Sequence, residues 1–211
     1  MEREGIAERR RVTGPEHPDT LWATTNMATT LNNEGKYAEV VSMLPAVIEA
    51  QKRTVGAQHA STVQSVTQVG AASSGLGHYP EAEKAFREAL DAQRRATGPS
   101  DPDVGWIMGY LAAALAREHR FGEADEMVRQ AVEISRKSLG SDSPYTAEIT
   151  YREAVIEALE SHNDQALALL RHAFEHGLSP SDYRLIEKDP GLASLYGDAK
   201  FKELVAEIRK R

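Results

Sequence analysis

Four stretches of the chain carry apolar residues at helical spacing, with polar residues between them. They are Val40, Leu44, Val47 and Ile48; Ala82, Phe86, Ala89 and Leu90; Ala124, Val128, Ala131 and Val132; and Ala166, Leu170, Ala173 and Phe174. Each set predicts one helix that buries a single stripe. Each set also lies 42 residues after the one before it, so the pattern is a repeat.

Polar punctuation keeps the same period. Gly14, Gly56, Gly98 and Gly140 recur at that spacing, each followed four positions later by Pro18, Ala60, Pro102 or Pro144. A glycine ends one helix by taking the left-handed conformation. A proline then suits the first turn of the next, where its missing N–H costs nothing. Asp101 and Ser143 precede their prolines and are expected N-caps; His17 and His59 stand at the equivalent helix starts. A second break recurs inside each repeat. Gly35-Lys-Tyr37-Ala-Glu39 matches Gly77-His-Tyr79-Pro-Glu81 and, more loosely, His119-Arg-Phe121-Gly-Glu123. Here an aromatic wedge opens a second helix. Ala28, Gly70 and Ala112 share one position in the first helices, where two helices must approach closely. Leu115 aligns with Leu159 only after a shift of two residues, so repeat four is expected to have a slid first helix or a trimmed loop.

These strings resemble tetratricopeptide repeats of the kinesin-light-chain type over about residues 6 to 177. The resemblance implies an all-α fold, a right-handed α-solenoid of helix–turn–helix repeats with a C-terminal helical cap. The expected division is 1–14, the end of a preceding half-repeat; four repeats at 15–56, 57–98, 99–140 and 141–177; and capping helices at 178–211. Ile6 to Gly14 matches Ile48 to Gly56, which suggests a piece cut from a longer protein, with a short native N-terminal cap as the alternative, and the C-terminal segment resembles the caps of bacterial repeat domains. In the cap, Ser179 to Tyr183 starts a short helix, Asp189-Pro190-Gly191 breaks it, and a last helix ends at Arg209 to Arg211.

Composition narrows the function. The 211 residues contain no cysteine, which excludes disulfides and thiolate metal sites. A formal charge of -7 argues against nucleic acid as the partner. No apolar run is long enough for a bilayer, and Met1 to Gly5 lacks the apolar stretch of a signal peptide. A cytoplasmic location, no membrane partner and no cofactor are expected.

The family resemblance implies a non-catalytic module that binds a peptide or protein segment in a concave groove lined by first helices; a stand-alone oligomeric scaffold is the alternative. Carried across residue by residue, the groove positions are Trp22, Thr25, Asn26, Thr29, Asn32 and Asn33; Gln64, Thr67, Gln68, Ala71, Ser74 and Gly75; and Trp106, Gly109, Tyr110, Ala113, Ala116 and Arg117. Amides and hydroxyls can hydrogen-bond a peptide backbone, and tryptophans make good anchors. With Arg117 as the lone cation, a clamp for a terminal carboxylate is not expected. Plainer accounts stand beside these. Asn and Thr also suit a solvated surface, the tryptophans also suit packing between repeats, and Arg117 also suits a surface charge.

One further string fits catalytic chemistry. His172-Ala-Phe-Glu175-His176 matches the H-x-x-E-H pattern of inverted zinc peptidases, making a zinc-dependent hydrolase a distant alternative. The string also falls in the repeat register, with Ala173 and Phe174 on the buried stripe. Only 35 residues follow it to supply the third ligand.

Overall fold

The computed structural model describes residues 2–178 and 186–209. Among them every regular element is a helix. The chain divides into two compact units, Met1–Pro99 and Ser100–Arg211.

The first unit holds α1 (Glu2–Val12), α2 (Pro18–Asn33), α3 (Tyr37–Thr54), α4 (Ala60–Gly75) and α5 (Tyr79–Thr97). The second holds α6 (Pro102–Arg117), α7 (Phe121–Leu139), α8 (Pro144–Leu159), α9 (Asn163–Glu175), a 3-10 turn (Pro190–Leu195) and α10 (Ala199–Ile208). In each unit helices pack as sequential pairs: α2 with α3 and α4 with α5, α6 with α7 and α8 with α9. First helices also neighbour each other, α2 beside α4 and α6 beside α8.

The helix boundaries follow the punctuation. Gly14, Gly56, Gly98 and Gly140 all adopt positive φ, between 87° and 98°. Pro18, Ala60, Pro102 and Pro144 open their helices. His17 and His59 cap through Nδ1, accepting the amides of Asp19 at 3.2 Å and Ser61 at 3.3 Å. Asp101 caps the same way, accepting the amide of Asp103 at 2.9 Å. Ser143 occupies the cap position but makes no side-chain capping bond, which corrects the expectation for that residue. Tyr37, Tyr79 and Phe121 open α3, α5 and α7 as expected.

Repeat four departs from the sequence reading. α8 begins and ends 42 residues after α6, and α9 begins 42 residues after α7. The first helix is therefore not slid and the inner turn is not trimmed. The turn keeps its shape because Gly35, Gly77, His119 and Ser161 all hold positive φ, at 74°, 79°, 60° and 68°. What is shortened is the second helix: α9 has 13 residues where α7 has 19. Leu159 thus corresponds to Arg117, and the match to Leu115 is broken.

Every residue of the four predicted stripes is buried. Small residues set the helix spacing. A Cβ on Gly70 would lie 2.6 Å from the Phe86 ring, so α4 and α5 meet at a distance only glycine permits. The first unit also buries a polar layer. Thr25 Oγ1 lies 2.7 Å from Ser65 Oγ and accepts from Gln51 Nε2, while Asn32 Nδ2 donates to Gln68 Oε1 at 2.7 Å. No described helix is long and apolar enough to cross a membrane.

The expected helix start at Ser179 to Tyr183 lies outside the described residues, as do Lys210 and Arg211. Beyond them, Asp189 caps the 3-10 turn and Asp198 caps α10 through the amides of Lys200 and Phe201. Leu192, Leu195, Phe201 and Leu204 are buried in one cluster with Val155, Leu170 and Phe174. This segment is core as well as cap.

Candidate binding surfaces

In the first unit the predicted positions separate by depth. Thr25, Asn32, Thr67 and Gln68 are buried, so they do not line an open surface. Thr25, Asn32 and Gln68 bond across helices, and Thr67 Oγ1 donates back to the Val63 carbonyl at 2.8 Å. The amides and hydroxyls assigned to a ligand are here the glue of a core too short of large side chains. Asn26, Thr29, Gln64, Ala71 and Ser74 are half-buried, and Asn33 and Gly75 are exposed. Trp22 is 53% exposed on α2. That much open indole is unusual for a side chain of its apolar area.

In the second unit Gly109, Ala113 and Ala116 are buried. Ile149 and Arg152 pack against Gly109. Trp106 and Tyr110 stay partly open and meet edge to face, 4.8 Å between centroids. Trp106 Nε1 donates to Glu148 Oε2 at 2.7 Å, a bond from repeat three to repeat four. Tyr145, 43% exposed, lies 6.4 Å from the same indole. The Arg152 guanidinium sits 3.7 Å above the Tyr110 ring.

Arg117 is not a free surface charge. Its Nη2 donates to Asp189 Oδ1 at 2.7 Å, and the Tyr151 hydroxyl donates to Asp189 Oδ2 at 2.8 Å. Both partners of the ion pair are largely buried, with side chains 15% and 13% exposed. The approach is close: a Cβ on Gly191 would lie 2.6 Å from Val155 Cγ1. Ser194 Oγ donates to the Ala158 carbonyl at 3.1 Å. Tyr151, Val155 and Ala158 are the repeat-four counterparts of Gly109, Ala113 and Ala116. The segment from Asp189 to Ser194 therefore covers this row of predicted positions. The row remains open at the other end of α6 and α8, around Trp106 and Tyr145.

Sequence reasoning missed Tyr145, Glu148, Tyr151 and Asp189. Glu148 and Tyr151 were within reach, since they lie one period beyond Trp106 and Gly109, whereas Tyr145 follows Asp103, which was not among the groove positions. The assumed slide of repeat four hid Glu148 and Tyr151. Asp189 sits outside the repeat and had no periodic signal.

The His172 and His176 rings lie 4.2 Å apart. His176 Nδ1 turns to Asp142 Oδ1 at 2.7 Å. Burial, with the nearby His176 and Arg136, pushes the His172 pKa below its ordinary value. Among the described residues the group of three ligands close enough to share a metal is Glu157, Glu160 and His162, at the end of α8 and in the α8–α9 turn. There His162 Nδ1 and Gln165 Nε2 already engage the Glu157 carboxylate.

A family model for the tetratricopeptide repeat matches residues 19–95 and 103–176. No curated protein matches the chain. Among solved structures, BtubC (BKLC) from P. vanneervenii is similar with a TM-score of 0.69 at 16% identity, over 99% of this chain and 87% of that one. Kinesin-light-chain nearly identical TPR-like repeats from Podosopora anserina are similar with a TM-score of 0.61 at 22% identity, over 92% of this chain and 95% of that one. A substituted form of the latter gives a TM-score of 0.62. At these identities the likeness is one of fold.

Proposed function

The chain belongs to the tetratricopeptide-repeat family, and on that premise we propose that it is a non-catalytic docking module. It holds a peptide or protein segment on the open faces of its first helices. The four repeats from 15 to 177 form the docking part, and residues 178–211 cap it. The carrying observation is the repeat position shared by Trp22 and Trp106. The fold leaves both rings at the surface, one more than half exposed and one partly so. An aromatic ring held open on a rigid helix is a ready anchor, offering large contact area at little conformational cost. Half-buried Asn26, Thr29 and Gln64 supply hydrogen-bonding groups near the anchor in the first unit. The buried Thr25, Asn32, Thr67 and Gln68 hold the helices that present it.

The test is selection of binders from a random dodecapeptide library on the full chain, repeated on Trp22→Ala and Trp106→Ala. Peptides enriched on the parent should lose at least tenfold in affinity on one of the variants, as expected of a hot-spot anchor. Equal affinity for the parent and for the chain carrying both substitutions would exclude these faces as the docking surface.

A further inference from the structure

On the open end of the second unit, acidic and aromatic side chains alternate on two neighbouring helices. Asp103 and Trp106 stand three apart on α6, and so share a face. Tyr145 and Glu148 stand at the equivalent positions on α8. Trp106 touches both members of the second helix, the ring of Tyr145 and the carboxylate of Glu148. The result is a two-by-two patch with carboxylates at opposite corners and π-faces at the other two.

The electrostatics of the patch are unbalanced. Burial, and then the carboxylates of Asp103, Glu148 and Asp101, hold the Tyr145 hydroxyl above its ordinary pKa. Burial and Asp101 likewise raise the Asp103 carboxyl. Asp101 has a task, capping α6. The Asp103 side chain makes no ion pair or hydrogen bond among the described residues. One cation lies on the patch: Arg152 is stacked on Tyr110, with Nη1 donating to the Glu148 carbonyl and lying 3.7 Å from Glu148 Oε2. The protein thus already places one guanidinium on this aromatic cluster, and leaves the outer carboxylate without one.

We propose that this patch is the seat for an arginine or lysine side chain of the docked partner segment, held over the Trp106 and Tyr145 rings and paired with Asp103. Cation–π attraction and ion pairing act together on such a group. The inference rests on the docking function proposed above and adds the chemistry of the partner, a basic segment. It also fits the chain's formal charge of -7, which attracts such segments from solution.

The same dodecapeptide library on the full chain separates the two claims. Enriched peptides should carry an arginine or lysine whose replacement by glutamine weakens binding about tenfold. Asp103→Asn should weaken binding about fivefold, the scale of one partly exposed ion pair. Trp106→Phe, which keeps an aromatic ring, should weaken it less than Trp106→Ala. Glu133→Gln, an exposed carboxylate paired with Lys137 on α7, should change nothing. If no peptide is enriched, docking and its charge preference both fall. If peptides are enriched but lack a required basic residue, or bind Asp103→Asn as tightly as the parent, docking stands and the basic-partner inference is overturned.

Discussion

Single residues carry the clearest energetic consequences. Pro45 lies inside α3, exposed, where Arg87 and Arg129 stand in the next repeats. An interior proline forfeits a backbone hydrogen bond and strains the preceding turn, at about 3 kcal/mol. Pro45→Arg should raise the melting temperature; a fall would mean that packing requires the bend. Ser143 is a cap in position only. Ser143→Asp should reproduce the Asp101 bond and add a favourable charge at the helix N-terminus, for a gain of about 0.5–1 kcal/mol in urea unfolding. His172 supplies a pH dependence. Its lowered pKa means that the fold favours the neutral ring. A base with a depressed pKa contributes stability that is present above its unfolded value and lost as pH falls. Stability should therefore decline as pH drops below about 6.5, and His172→Gln should flatten that decline. A decline unchanged in the variant would assign it to other groups. The same variant, with His176→Ala, should leave dodecapeptide binding unaltered. Stoichiometric zinc in the purified chain, lost in both variants, would favour the hydrolase instead.

Among the elements, the cap segment has the most specific attachment. Asp189 receives Arg117, Tyr151 and the amide of Gly191 on one carboxylate. Removing the arginine leaves a largely buried charge short of its counter-ion, which is costlier than losing a surface pair. Arg117→Ala should cost about 1–3 kcal/mol and speed amide exchange across residues 186–209, with Tyr151→Phe doing less. The expected effect on peptide binding is small, because Arg117 is spent on the cap. A variant that kept its stability and cap protection but lost binding would return Arg117 to the ligand site.

For the whole molecule, the two units differ in what fills them. In the first, the core between α2 and α4 is rich in hydroxyls and amides, among them Thr25, Asn32, Ser65, Thr67 and Gln68. In the second, α6 is buried through Leu111, Ala112, Ala114 and Leu115, and Leu192, Leu195, Phe201 and Leu204 close an apolar cluster with α8 and α9. Repeat arrays gain stability from neighbour to neighbour, so the first unit should open at lower urea. The chain has two tryptophans, one in each unit. Fluorescence of Trp106→Phe therefore follows the first unit and that of Trp22→Phe follows the second. Coincident midpoints would show a single cooperative body.

The repeat, its helices and its buried stripes were legible in the sequence because they are local. A 3.6-residue period, a glycine that turns the chain and a proline that restarts it need no distant partner to be understood. The binding row was legible only in outline. The same Asn and Thr types satisfy a solvated face or a polar core, and only packing decided that Thr25, Asn32, Thr67 and Gln68 go inward while Trp22 stays out. The inner turn of repeat four escaped for a related reason: His119 and Ser161 take the left-handed conformation that glycine marks at Gly35 and Gly77, so the signal was absent although the geometry was kept. Arg117 is the sharpest case. Its partner Asp189 lies 72 residues away, outside the period, and no pattern of spacing joins two charges that only the folding back of the chain brings together.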